Sequence, residues 1–150
     1  MEELKRNMDI TYIFRLNNAL IKQKNRHMAE YELTSIQADV LMYILVHFQK
    51  REINQLDIQK AFKLTNPTVS GIVDRLEEKG FIKRVRSEKD ARFRSLIALP
   101  KGVGLHETLR RRASIAENYL VKDMTEQEQQ EFERLLRIAV QTMEAENVEF

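Results

Sequence analysis

The sequence predicts a mostly α-helical protein with one small β-hairpin, and three observations lead to this prediction. Apolar residues recur at three- and four-residue steps through most of the chain, which is the period of an amphipathic helix. Only four glycines and two prolines interrupt its 150 residues. In one stretch, the short runs Phe81–Arg86 and Arg94–Leu99 flank a charged loop, which is typical of two strands of a hairpin.

Six helices are expected around this hairpin, and several of their ends carry recognisable signals. Side-chain oxygens that accept unpaired backbone N–H groups are expected at the capping boxes of Thr34 with Gln37 and Thr125 with Glu128. Gly80 is placed as the stop of the fourth helix. The expected ranges are Leu4–Tyr31, residues 34–49, Asn54 (as cap) to Phe62, Pro67–Lys79 (capped by Thr65 or Asn66), Lys101–Lys122 and a last helix after Thr125.

The apolar pattern assigns a place to each helix. The second helix is apolar on most sides, so we expect it at the centre of the core. In the fourth helix, the i, i+3, i+4 and i+7 spacing predicts an inward face of Val69, Ile72, Val73 and Leu76. The sequence therefore predicts one chain, 1–150, with a winged helix-turn-helix lobe over residues 33–100. The long helices in 1–32 and 101–150 have apolar stripes with little cover, which favours dimerisation through them.

The net charge of +2 hides an uneven distribution. Six basic residues stand against two acidic ones between Phe81 and Arg94, whereas eight acidic residues stand against two basic ones from Asp123 to Phe150. Such asymmetry suggests that one surface meets a polyanion.

Composition also limits the cellular location of the protein and the chemistry that its side chains can perform. The chain has no cysteine, which excludes disulfides, thiol sensors and zinc–thiolate sites. The first residues lack a signal-peptide pattern, and the longest apolar run, Val40–Phe48, is too short to span a bilayer. We therefore expect a cytoplasmic protein that makes no membrane contact.

The outward face of the fourth helix and the hairpin loop have side chains suited to double-stranded DNA. Small polar groups near a helix N-terminus can enter the major groove and contact base edges or phosphates, and an arginine on a loop can enter the narrow minor groove. Asp90 is placed to orient such an arginine. The predicted contacts are Asn66, Thr68, Ser70, Gly71 and Arg75 on the helix, and Arg86, Lys89, Asp90, Arg92 and Arg94 on the wing.

Residues 65–102, TNPTVSGIVDRLEEKGFIKRVRSEKDARFRSLIALPKG, resemble the recognition helix and wing of the MarR family of transcriptional regulators. The resemblance implies a homodimeric repressor on a palindromic operator, with recognition helices in major grooves and wings in flanking minor grooves. Thr68, Ser70, Arg75 and Arg92 match DNA-facing positions of the family. Gly71 departs from it, because many relatives have a larger polar or basic residue there. Pro100 also departs, since it replaces a frequent threonine.

The resemblance also implies an effector, because many relatives leave DNA when they bind small, often aromatic, anions. The residues expected to line such a pocket are Tyr12, Arg15, Tyr31, Tyr43 and His47. Aromatic residues on helices are often ordinary core residues, so packing is the alternative role for each of them.

Other classes of function fit the sequence less well. His27, His47 and His106 lack metal-ligand spacing, and no glycine-rich phosphate loop or nucleophile elbow occurs, so we expect no enzyme, no metal and no cofactor. A winged-helix interaction module that does not bind DNA stays as the alternative. Such a module would have no need for Lys89, Arg92 and Arg94 together.

Overall fold

The elements of the protein follow the predicted order in a computed structural model that describes residues 8–145. The two strands pair as an antiparallel hairpin, so the predicted fold class is confirmed. None of the helices in this described range is long and apolar enough to cross a membrane. The elements are α1 (Thr11–Met28), a short 3-10 turn (Ala29–Tyr31), α2 (Ser35–His47), α3 (Gln55–Phe62), α4 (Asn66–Glu78), β1 (Ile82–Arg86), β2 (Arg94–Ala98), α5 (Pro100–Leu120) and α6 (Glu126–Ala145).

Capping boxes mark the starts of α2, α3 and α6. In each capping box, one side chain accepts the backbone N–H of a residue three positions away and the partner side chain accepts in return. Both predicted boxes form, and the cap Asn54 gains a reciprocal partner, Asp57, that was not predicted. At α4, Thr65 occupies the N-cap position, but its hydroxyl contacts the hydroxyl of Thr68 at 3.0 Å instead of capping the backbone.

The first helix is shorter than predicted at both ends. Leu4 to Asn7 lie outside the described residues, and Met8 to Ile10 are not helical. The carboxylate of Asp9 accepts hydrogen bonds from the N–H and the hydroxyl of Thr11, which satisfies a backbone donor at the start of the helix. At the other end, Glu32 adopts a left-handed conformation (φ 56°), which ends the turn after Tyr31.

The core lies where α2, α4 and the hairpin meet. Val40, Leu41 and Ile44 of α2 are fully buried, which confirms that this helix is central. All four predicted inward residues of α4 are buried against the same cluster. The hairpin adds Ile82 and Leu96, and the N–H of Leu96 donates to the carbonyl of Ile53 at 2.6 Å. The core therefore fixes α4 beside the hairpin.

The register of the hairpin divides its basic residues between two faces. Successive side chains of a strand point to opposite sides, so Arg84 and Arg86 share a side with the buried Ile82, and Lys83 points the other way. Arg86 lies directly opposite Arg94.

Two compact units make up the chain, Met1–Arg110 and Arg111–Phe150, with the boundary inside α5. In the first unit, α1 exposes large apolar residues that include Ile13, Phe14 and Ile21. In the second unit, α6 exposes a stripe of Leu135, Leu136, Val140 and Met143.

The first turns of α5 contain two glycines in contrasting surroundings. A Cβ atom on Gly102 would collide with the backbone oxygen of Phe81, whereas a Cβ atom on Gly104 would meet nothing within 4 Å. Gly102 thus lets α5 begin against the backbone that leads into the hairpin.

We predict opposite effects for the same substitution at these two glycines. Gly102→Ala should lower the free energy of unfolding by about 1–3 kcal/mol, because the backbone must shift to admit the methyl group. Gly104→Ala should raise it by about 0.5–1 kcal/mol, because alanine is the better helix former. Urea denaturation of the two variants and the parent measures both values. Equal stability of the two variants would contradict the close contact at Gly102.

Candidate nucleic-acid interface

The polar face of α4 lies at the surface of the first unit. Pro67 occupies the first turn, where its missing N–H costs nothing. Asn66, Thr68, Gly71 and Arg75 are exposed, and Ser70 is half-buried. Because the opposite face is packed into the core, the helix presents these small groups in a fixed direction.

Two of these side chains already have partners nearby in the chain. The hydroxyl of Thr68 contacts that of Thr65, and a guanidinium nitrogen of Arg75 lies 3.4 Å from a carboxylate oxygen of Glu78. Both contacts are exposed, so a phosphate or base edge can replace or share them at little cost.

The wing loop, residues 87–93, is closed by its own hydrogen bonds. The N–H of Ser87 donates to the carbonyl of Phe93 at 3.2 Å, and the N–H of Phe93 donates to the carbonyl of Asp90 at 3.0 Å. The hydroxyl oxygen of Ser87 accepts the N–H groups of Lys89 and Asp90, each at 3.2 Å. The loop is therefore an ordered turn whose shape is set by its backbone.

Asp90 orients Arg92, as the sequence predicted. Its carboxylate accepts the backbone N–H of Arg92 at 3.0 Å, the Nε at 3.1 Å and an Nη at 2.7 Å. The hydrogen bond from the Arg92 side chain, followed by that from its backbone, lowers the pKa of Asp90, and the same side-chain bond raises the pKa of Arg92. The Arg92 side chain stays 84% exposed. A fixed, fully charged guanidinium thus stands at the tip of the wing.

Arg86 and Arg94 place two positive charges side by side at the base of the loop. They occupy directly opposite positions of β1 and β2, and both are exposed. Like charges directly opposite across two strands repel each other. An anion bound between them would relieve this repulsion, so the pair is suited to a phosphate group.

Arg84 is the exception among the six basic residues of this stretch. Its guanidinium donates to Asp74 at 2.6 Å, to Glu77 at 2.9 Å and to Gln55 at 3.0 Å, and its side chain is only 15% exposed. Charge counting therefore overstated the surface available to a polyanion, because this arginine instead joins α3, α4 and β1. Asp74, an exposed residue of α4, is one of its partners.

One cavity brings the two predicted sets of residues together. It has a volume of about 350 Å³ and lies between α3, the start of α4 and the wing. Asn66 from the helix set lines it together with Arg92 and Arg94 from the wing set. Sequence reasoning missed its other lining residues, of which Leu56 and Phe93 are apolar yet exposed, at 43% and 40%. Phe93 was recognisable as the one aromatic residue inside the charged loop.

The five residues predicted for an effector pocket lie in different local settings. The guanidinium of Arg15 lies 5.6 Å from the ring centroid of Tyr12, and the rings of Tyr43 and His47 are 4.3 Å apart. Tyr31 lines a cavity of about 620 Å³ that includes Glu30, Glu32, Phe81, Lys101 and Thr108. Neither this cavity nor the one beside the wing is lined by the other four residues.

Metal-ligating side chains are not grouped in the part of the chain that the structure describes. There, no three or more histidine, aspartate or glutamate side chains come together in a way that could hold a metal ion.

Comparison with models of protein families finds a match to part of this chain. A family model described as MarR matches residues 33–93, which contain α2, α3, α4, β1 and most of the wing loop. None of the curated proteins matches this chain.

Solved structures similar to this chain include several regulators. The MepR–DNA complex of Staphylococcus aureus is 26% identical, covers 91% of this chain and 99% of its own, and has a TM-score of 0.81. A second structure is of MepR, described as a transcription regulator of the Staphylococcus aureus multidrug efflux pump MepA. It is 25% identical, with the same coverage and a TM-score of 0.72. A MarR protein from Peptoclostridium difficile shares the fold at 18% identity, with 97% and 95% coverage and a TM-score of 0.80.

Proposed function

From the MarR-family domain that residues 33–93 carry, we propose that this protein is a DNA-binding transcription regulator that acts as a homodimeric repressor on a palindromic operator. Each recognition helix, α4, would occupy a major groove, and each wing would reach the adjacent minor groove. The contacts would come from the ten helix and wing residues that the sequence predicts.

The observation that best supports duplex binding is the meeting of Asn66, Arg92 and Arg94 at one cavity. A helix N-terminus with small polar groups suits base edges and phosphates, and an exposed arginine suits the minor groove. A DNA backbone separates these two grooves. The cavity between α4 and the wing suits such a backbone, because Arg92 and Arg94 line it.

Dimerisation is supported by the exposed apolar stripes of α1 and α6. On α6, Leu135, Leu136, Val140 and Met143 are each at least two-fifths exposed and recur at helical spacing. Contiguous apolar surface of this kind commonly marks an interaction site. A second copy offers the same stripe, which suits a twofold interface.

Release of the protein by a small aromatic or anionic effector stays a prediction that rests on the family resemblance. Of the five predicted residues, Tyr31 lines a described cavity, next to Phe81 and Thr108. The other four are placed by local ring and guanidinium contacts, which suit packing as well as ligand binding.

Selection of bound duplexes from a random pool tests the proposed function directly. The expected winner is a palindrome with half-sites about 10 base pairs apart, centre to centre. If about five side chains per protomer contact phosphates, the logarithm of the binding constant should fall with the logarithm of salt with a slope on the order of −9. Arg92→Ala should weaken binding strongly, because it removes the minor-groove contact.

Arg110→Ala is the matched control for Arg92→Ala. Arg110 is also exposed and also held by a carboxylate, that of Glu107, but it lies on α5 and is not among the predicted contacts. Duplex binding that does not change with salt, or equal losses of affinity in the two variants, would favour a winged-helix interaction module that does not bind DNA.

Gly71 gives a prediction that separates stability from groove binding. A Cβ atom there meets nothing within 4 Å, so Gly71→Leu should raise the free energy of unfolding by about 0.5–1 kcal/mol through helix propensity. The same variant should bind the selected duplex at least roughly tenfold more weakly, because the side chain holds α4 away from the groove. Gly71→Ala, with a single methyl group, should gain similar stability and lose less affinity. Unchanged binding by Gly71→Leu would place this face of α4 outside the groove.

The dimer interface is tested by a matched pair of substitutions on α6. Leu136→Asp puts a charge into the apolar stripe and should shift the protein from dimer to monomer in analytical ultracentrifugation. Gln141→Asp adds the same group on the opposite side of the helix and should leave the dimer intact. A dimer that tolerates Leu136→Asp would exclude this stripe from the interface.

A further inference from the structure

We propose that Glu52 is a positioning residue of the interface, which holds the base of the wing loop and so sets the place of Arg92. Glu52 lies in the connection between α2 and α3, outside both predicted sets of DNA contacts. This inference rests on the proposed duplex binding and adds to it a residue that never needs to touch DNA.

The contacts of Glu52 join segments far apart in the chain. One carboxylate oxygen accepts the hydroxyl of Ser87 at 2.7 Å, and the other accepts the backbone N–H of Glu88 at 2.9 Å. The next residue, Ile53, accepts the N–H of Leu96 through its carbonyl. Residues 52 and 53 therefore hold both the first residues of the loop and the strand that leaves it.

Ser87 requires a group at this place that only accepts hydrogen bonds. Its hydroxyl oxygen already accepts the N–H groups of Lys89 and Asp90, which occupies both lone pairs. Its single proton must then be donated, and Glu52 receives it. An ionised carboxylate can accept from Ser87 and from the Glu88 N–H at once, whereas an amide would turn a donor toward one of them.

These bonds lead in series to the tip of the wing. Glu52 fixes Ser87, Ser87 fixes the N–H of Asp90, and the carboxylate of Asp90 fixes the guanidinium of Arg92. Glu52 is half-buried and Ser87 is buried, so this path begins at covered residues and ends at an exposed charge. Loss of the first bond should free the loop without unpacking the core.

Because Glu52 is negatively charged, the two explanations predict opposite changes in DNA affinity when it is replaced. A carboxylate beside a basic wing opposes a polyanion by simple electrostatics, so its removal alone should strengthen DNA binding. If Glu52 positions the wing, its removal should instead weaken binding to the specific duplex.

The experiment compares Glu52→Gln with Glu88→Gln, using the selected palindrome and an unrelated duplex as probes. Both variants remove one negative charge from the same region, but only Glu52 supplies its carboxylate to the loop. We expect Glu52→Gln to weaken binding to the palindrome about tenfold, the scale of a charge-assisted hydrogen bond, without weakening binding to the unrelated duplex. Glu88→Gln should slightly strengthen both.

Two further measurements separate positioning from general damage. In an Arg92→Ala background, Glu52→Gln should cause no additional loss, because the residue that it positions is gone. Ser87→Ala should reproduce the loss seen with Glu52→Gln, and amide hydrogen exchange at residues 88–90 should quicken in both variants.

Different results would contradict the positioning role of Glu52 and the proposed DNA binding. Binding by Glu52→Gln as strong as that of Glu88→Gln, or a full further loss in the Arg92→Ala background, would overturn the positioning role while leaving duplex binding intact. If the parent protein selects no duplex at all, the proposed function itself fails.

Discussion

The packing of α4 against α2 is the constraint on which the rest of the molecule depends. Val69, Val73 and Leu76 are completely buried in the core cluster that α4 shares with α2, and burial of such side chains contributes about 1.5–3 kcal/mol each. Since one face of α4 is committed to the core, the orientation of its polar face follows. The same core holds Ile82 and Leu96, which brings the hairpin alongside the helix.

Charged side chains refine the arrangement that the core sets. Arg84 links α3, α4 and β1 through Gln55, Asp74 and Glu77, so the helix-turn-helix and the wing are joined by polar contacts as well as by apolar ones. Glu52 adds polar contacts at the loop end of the hairpin, where it accepts hydrogen bonds from Ser87 and Glu88. Arg84 is the middle residue of β1 and Glu52 contacts the residues that follow β1, so the wing is held along its first strand and at the start of its loop.

The division of basic residues explains how a nearly neutral protein can present a positive surface. Arg84 is neutralised by carboxylates and Lys83 points to the other side of the strand, whereas Arg86, Lys89, Arg92 and Arg94 are exposed around the loop. The positive surface therefore depends on where a few exposed basic side chains lie, and the net charge of +2 does not reveal it. Arg86 and Arg94, opposite each other, leave a favourable place for an anion.

The sequence by itself determined the features that depend on neighbours within about four residues. Helical periodicity, the capping boxes at Thr34 and Thr125, the stop at Gly80 and the Asp90–Arg92 pair all follow from local backbone geometry, and the structure has them. Only the tertiary structure decided the partners of Arg84, the bond between Glu52 and Ser87 and the need for a glycine at position 102. Glu52 and Ser87 are 35 residues apart, and Arg84 and Gln55 are 29 apart, so no spacing in the sequence marks them. Such contacts exist because the core brings distant segments together. Local backbone geometry does not determine which distant segments meet.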